Sequence, residues 1–229
     1  MSQNLPEKAS FKLLLIDCHQ MCLNGTIEVL RSQYPSAKIF TAQTAENALN
    51  QVSILQPDLV VIDIYIPEKP GVMASTNTGM QLLRNLMENY PNLNIIVQSI
   101  HIRTLVRMKP EIEAYKGGFT VADKSLSTKE MLARVKWALQ GLTHTKDIQE
   151  IYSELQVKPE WRLLLTLAFQ EGLQDKAIAQ RISVSERMVR HYWDKLQNAL
   201  GIDGEELKNQ GKNLRIITQI RAREAGLID

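Results

Sequence analysis

Five short apolar runs, each breaking off at a polar residue and each followed by a stretch with helical spacing, fill the first 140 residues. Lys12-Leu13-Leu14-Leu15-Ile16 stops at Asp17 and Leu59-Val60-Val61-Ile62 stops at Asp63. Shorter runs at 37–40, 95–97 and 119–122 take the second, fourth and fifth places. Between them apolar residues return every three or four positions, as with Met21, Ile27 and Leu30 in 20–34, or Ala45, Ala48, Leu49 and Val52 in 44–55. Residues 80–89, 103–115 and 128–139 complete the helical set, the middle one poorly patterned. Strands apolar on both faces belong inside a parallel sheet, whose strands must be joined by crossovers. The pattern predicts a five-stranded, doubly wound parallel sheet with helices on both faces, an α/β domain.

Ligands of such sheets gather outside the carboxyl ends of the strands. Asp17, Asp63, Ser99 and Lys124 are all expected there, after strands one, three, four and five. Two carboxylates at neighbouring strand ends can hold a hard divalent cation such as Mg2+. A carboxylate so neutralised can attack a phosphoryl donor, a lysine can balance the charge that results, and a hydroxyl can donate to it. Each residue alone reads as a strand terminator. Four together read as a site.

At these residues the chain resembles a known family. Leu13-Leu14-Leu15-Ile16-Asp17-Cys18-His19 is similar to the first strand of response-regulator receiver domains. Pro57-Asp58-Leu59-Val60-Val61-Ile62-Asp63, with Ile66-Pro67 after it, resembles the strand that carries their phosphorylated aspartate. The resemblance covers residues 10–141 and implies a receiver domain over 1–141. It implies Asp63 as phosphoacceptor, Ser99 as switch hydroxyl, Lys124 as the phosphoryl-binding lysine, and Asp17, Asp63 and the Tyr65 carbonyl as ligands of Mg2+. Phe119 is then the candidate aromatic partner of the switch, or equally a plain core residue.

Three departures from the family stand out. Cys18 occupies the position of a second acid, and a thiol is a poor ligand for hard Mg2+. Residues 68–78, with Pro70, Gly71 and small polar residues, make a loop longer than usual after Asp63, expected to be irregular and mobile. The segment 118–125 is also long and lacks a proline after Lys124, and Asp123 is placed to compete for that lysine. Of the histidines 19, 101, 144 and 191, none shows a metal-ligand spacing; His19 is expected near the acidic pocket and the others on the surface.

The rest of the chain has no strand pattern. Residues 142–154 are polar and read as a linker, and 155–229 as a small all-helical domain with helices at 160–170, 175–182, 185–199 and 214–225. In 174–190, Asp175 is expected to cap one short helix and Ser185 the next, with Ala179 permitting close approach. On the second helix Met188, Val189 and Leu196 are expected inward with Trp193 beside them, leaving Glu186, Arg187, Arg190, His191 and Lys195 outward.

Gly172-Leu173, Ile178-Ala179, Val184-Ser185, Val189-Arg190, Leu200-Gly201-Ile202 and Gly226-Leu227-Ile228 resemble the LuxR-type helix-turn-helix of NarL/FixJ-family regulators. The resemblance implies DNA contacts from Lys176, Ser185, Arg187 and Arg190, with Met188 and Tyr192 departing from the usual residues. It further implies a cytoplasmic transcription regulator, not an enzyme, whose partners are double-stranded DNA, a sensor histidine kinase and a second copy when active.

Charge tempers this. The chain carries 27 Lys+Arg against 25 Asp+Glu, which excludes a strongly basic coating protein. From residue 151 onward the count is 12 against 11, so a lone monomer is expected to bind DNA weakly. Two cysteines are too few for a disulfide framework, and no apolar run approaches a membrane span. Two alternatives stand beside the main reading. One is a receiver switched without phosphorylation by a protein or small ligand, motivated by Cys18. The other is an adaptor whose helical domain binds protein, motivated by its balanced charge.

Overall fold

The structure, a computed structural model, describes residues 11–146 and 158–228 apart from 205, 206, 208 and 209. The chain divides into two compact units, the first holding the chain up to Lys146 except Arg103–Arg107, the second the remainder.

The first unit is a five-stranded parallel sheet in the order β2-β1-β3-β4-β5. Its strands are β1 (Lys12–Ile16), β2 (Lys38–Ala42), β3 (Leu59–Ile62), β4 (Asn94–Ser99) and β5 (Phe119–Asp123). The helices are α1 (Gln20–Gln33), α2 (Ala45–Leu55), α3 (Thr76–Asn89), α4 (Lys109–Ala114) and α5 (Thr128–Leu139). Leu13, Leu15, Leu59, Val61 and Ile96 pack against α1 and α5 through Leu23, Leu30, Met131 and Val135, all buried. Truncating any such buried leucine to alanine should cost about 2–5 kcal/mol. On the other face α2 and α3 lie together.

Local chemistry sets the boundaries. Thr44 accepts from Asn47 N at the start of α2, and Ser127 forms a reciprocal capping box with Glu130 at the start of α5. The poorly patterned stretch 103–115 is not one helix. It is a 3-10 segment, Ile102–Met108, followed by the short α4 with Pro110 in its first turn.

The loop after β3 differs from expectation. Residues 76–78 are the first turn of α3, capped by the Ser75 hydroxyl, which accepts from Thr78 N. Ile66 and Ser75 form an antiparallel bridge, and the Pro67 and Glu68 carbonyls accept from Ala45 N and Glu46 N at the start of α2. Two unpartnered amides of α2 are thereby satisfied, and the loop is pinned at its base. Only 69–74 remain as a free-standing turn, with Met73 exposed at its tip. Gly79, one turn into α3, has no substitute: a Cβ there would fall inside the backbone of Ile64.

The first unit also runs past residue 141. Leu142 accepts from Phe119 N and His144 N donates to the Phe119 carbonyl, so 142–144 lie alongside β5 rather than in a linker. The rest of the expected linker, 147–154, lies outside the described residues.

The second unit contains α6 (Pro159–Phe169), α7 (Asp175–Arg181), α8 (Glu186–Ala199) and α9 (Leu214–Glu224). Their boundaries fall within a residue or so of the expected ones. Its core is Trp161, Leu164, Leu165, Ile178, Ala179, Val189, Trp193, Leu196 and Ala222, all buried. Among the described residues no helix of the protein is long and apolar enough to cross a membrane.

Candidate functional site

β1 and β3 are neighbours whose helices leave on opposite sides, so their carboxyl ends open a crevice. Asp17 follows β1 and Asp63 follows β3, held in step by the bond from Asp63 N to the Ile16 carbonyl. Ser99 ends β4 and Lys124 follows β5. The four expected residues do converge. Lys124 Nζ lies 2.6 Å from Asp17 Oδ2 and 2.5 Å from Asp63 Oδ2. Ser99 Oγ donates to Asp63 Oδ1 at 2.6 Å, and His101 N donates in turn to Ser99 Oγ. Tyr65 N donates to Asp63 Oδ1 at 3.0 Å. Asp17, Asp63 and Ser99 are all buried.

Burial alone would lower the Lys124 pKa, but its hydrogen bonds and charge attraction to Asp17 and Asp63 outweigh it and hold the amine up at about 12. Lys124 is thus a fixed positive charge at neutral pH. Asp123 does not compete for it: its Oδ1 accepts from Ser125 N.

Cys18 and His19 complete the rim. Cys18 Sγ donates to the Tyr65 carbonyl at 3.3 Å and lies 3.4 Å from His19 Nδ1. His19 Nδ1 is 3.2 Å from Asp17 Oδ1, and His19 N donates to the same oxygen at 2.8 Å. Burial, then the nearby charges of Asp17 and Asp63, push the Cys18 thiol up, so it stays protonated near neutrality. Cys22, on the first turn of α1, lines the same crevice.

Mg2+ asks for oxygen donors. Asp17, Asp63 and the Tyr65 carbonyl supply them, yet the side chain facing that carbonyl is the Cys18 thiol, and Lys124 already engages one oxygen of each carboxylate. The residues present do not fit Mg2+.

Phe119 is not beside Ser99. It pairs with Ile95 at the opposite end of β4 from Ser99, four residues and about 13 Å away. It is fully buried with Tyr115 edge-on against it, a core residue. His101, whose amide donates to Ser99 Oγ, sets its ring 5.4 Å from that of Tyr65. Sequence spacing gave no sign of His101, because its tie is a backbone amide.

In the second unit, α7 and α8 form a helix-turn-helix. Ser183 turns the chain at φ +57, Val184 N donates to the Ala179 carbonyl, and Ser185 Oγ accepts from Met188 N as the cap of α8. Lys176, Ser185, Arg187 and Arg190 are all exposed. Met188 is exposed too, against expectation, and buried Trp193 takes the inward place beside Val189 and Leu196. Asp175 is not a cap: its Oδ1 accepts from Trp193 Nε1 at 3.0 Å and from Arg215 at 2.5 Å, while the Arg215 guanidinium stacks 3.6 Å over the Trp193 ring. That cluster ties α7, α8 and α9 together, fixing the angle at which α8 presents its outer face.

Known proteins share these features. The family model of the response regulator receiver domain matches residues 13–136. The DNA-binding transcriptional activator DevR/DosR of Mycobacterium tuberculosis is 24% identical over 208 residues, covering 84% of this chain and 89% of that protein. The transcriptional regulatory protein YdfI of Bacillus subtilis is 25% identical over 202 residues, covering 83% and 89%. Among solved structures, the two-component response regulator RcsB in complex with DNA matches with a TM-score of 0.59 at 16% identity, covering 86% of this chain and 94% of that one, a likeness of fold. With a sheet of this order, an acidic crevice at its switch point and a family match over more than half its length, the chain belongs to the response regulator receiver domain family.

Proposed function

We propose that this chain is a cytoplasmic, DNA-binding transcription regulator whose receiver unit controls its helix-turn-helix, with no catalytic turnover of its own. The observation that carries the DNA reading is the outer face of α8. A capped helix N-terminus presents exposed Ser185, Arg187 and Arg190 over a rigid three-helix base, the form in which a recognition helix enters the major groove. DevR/DosR and YdfI are named as transcriptional regulators, and RcsB was solved on DNA, which supports the same assignment.

Control runs through Asp63 in this reading. A sensor histidine kinase donates a phosphoryl group to the Asp63 carboxylate, Lys124 balances the added charge, and Ser99 follows the new oxygens. The change favours a second copy on paired half-sites, which offsets the weak affinity of a nearly neutral domain. A second reading has its own observation. The thiol of Cys18 at the metal-facing position favours a receiver switched without phosphoryl transfer. The test of the DNA reading is a gel-shift series of the full chain against genomic fragments. Selection of a discrete duplex supports it; equal binding to all fragments that survives Arg187→Ala together with Arg190→Ala contradicts it.

A further inference from the structure

We propose that the gap between α1 and the start of α5, floored by Gln98, is a binding site for a small neutral molecule with an amide-like head and a short apolar body. The site gives the receiver switched without phosphoryl transfer a class of ligand. It rests on that reading for any effect on DNA, but not for binding itself.

The face of the sheet covered by α1 and α5 is apolar along most of its length, with Leu13, Leu15, Leu59, Val61 and Ile96 buried there. Two residues beyond Ile96 along β4, the same face carries Gln98. Its Oε1 accepts from Thr26 Oγ1 at a long 3.4 Å, and among the described residues its Nε2 donates to nothing. A rigid strand thus holds an amide with a spare donor at the bottom of a cavity of about 300 Å³. Small-molecule sites span roughly 300–1,000 Å³, so the space suits a small occupant.

The helices leave this space open. Farther along they close on each other's side of the sheet, with Leu30 and Val135 fully buried. In its second turn α1 instead puts Gly25 on the cavity, where an added Cβ would meet nothing within 4 Å. Glycine inside a helix is costly against alanine, and no close approach requires it here. The walls are Met21, Val29, Leu126 and Met131, and Met21 stands 87% exposed on the rim.

Charge selects a neutral head. Lys124 is the one charged residue lining the cavity among the described residues, and its amine is held by Asp17 and Asp63. No free charge remains for an anion. The Gln98 carboxamide sets a donor beside an acceptor, which another amide matches. A water-filled dent between helix ends is the alternative. It accounts for the volume and a solvated amide, but not for the side chain that α1 gives up at Gly25.

The test uses the full chain with isotope-labelled methionine methyls, titrated separately with hexanamide, acetamide and hexanoate. Hexanamide should shift the Met21 and Met131 signals saturably and leave exposed Met73 and Met188 in place. It should bind at least about tenfold tighter than acetamide, the gain from burying about two methylenes, and tighter than hexanoate. Gly25→Leu, which fills the cavity, should abolish the shift. Gln98→Leu should weaken hexanamide about three- to tenfold through the lost amide pairing. Gly25→Ala should raise the melting temperature while weakening hexanamide, and melts of all variants separate lost binding from lost folding. Saturable binding that leaves DNA affinity unchanged in a gel shift keeps the site and counts against the ligand-switched reading alone. No saturable shift in the wild type, one that survives Gly25→Leu in a folded chain, or a preference for hexanoate overturns the proposal.

Discussion

The Ser99 hydroxyl donates to Asp63 Oδ1 across 2.6 Å, with Ser99 fully buried and Asp63 4% exposed. In this state both oxygens of Asp63 are spoken for, one by Ser99 and the Tyr65 amide, the other by Lys124. Modification of Asp63 therefore requires at least one of these partners to move, which makes Ser99 the natural reporter of what happens at Asp63. Ser99→Ala should cost about 1.5–3 kcal/mol of stability, the loss of a hydrogen bond to a charged group. It should leave phosphoryl uptake at Asp63 in place while blunting any change in DNA affinity. Chemical denaturation and a gel shift on the same preparation check both halves.

Lys124 is the only cation bonded to Asp17 and Asp63 among the described residues. Lys124→Met leaves two buried carboxylates facing each other and should destabilise the receiver unit by about 3 kcal/mol, the low end for a broken buried pair because the amine retains some water. Since its folded pKa is raised, the lysine's contribution is fully present below its ordinary value of 10.5 and is lost as pH rises through about 12. The wild type should thus show no Lys124-linked change in stability between pH 6 and 9, roughly, and a decline only in strong alkali. A pH series of urea melts measures this.

Gly79→Ala should separate α3 from β3. The added carbon would fall inside the Ile64 backbone, which cannot yield as a flexible side chain would. A loss of about 1–3 kcal/mol is the expected cost of overpacking, with any larger loss reading as displacement of α3. Gly204→Ala, where a Cβ meets only Leu214 methyls at ordinary contact distance, serves as the neutral comparison in the same thermal melt.

Arg187→Ala and Arg190→Ala should leave the second unit folded, because both side chains are exposed and make no part of the Asp175–Trp193–Arg215 cluster. A base-contacting arginine should cost about 1–3 kcal/mol of binding and relax one operator position; a phosphate contact should weaken all sequences alike and flatten the salt slope. Affinities across a set of single-base operator variants distinguish the two. Trp193→Phe should act oppositely, loosening Asp175 and Arg215 and lowering the melting temperature more than it alters sequence preference.

The order of elements was legible in the sequence because β1 and β3 are buried on both faces and so read as unbroken apolar runs. The convergence of Asp17, Asp63, Ser99 and Lys124 followed, since a parallel sheet gathers all carboxyl ends on one edge. What escaped was carried by backbone groups and by through-space pairing. The stem of the 68–78 loop is held by main-chain bonds from Pro67 and Glu68 to α2, which no side-chain pattern announces. Asp175 looked like a cap but serves Trp193 and Arg215, the latter 40 residues away. Phe119 was open between an aromatic partner of Ser99 and a core residue, and only strand register, which places it at the far end of β4 from Ser99, decides for the core. His19, by contrast, was expected near the acidic pocket from its place two residues after Asp17, and its Nδ1 lies 3.2 Å from Asp17 Oδ1.

The central claim is that the state of Asp63 governs binding of DNA by α8. The most direct measurement is the affinity of the full chain for its selected duplex before and after treatment with a small-molecule phosphodonor, with intact mass recorded on the same sample. The account predicts one acid-labile phosphoryl group per chain, tighter and more cooperative binding in the wild type, and neither change in Asp63→Asn. An adduct at Asp63 that leaves the affinity where it was, or an affinity gain that persists in Asp63→Asn, would contradict it.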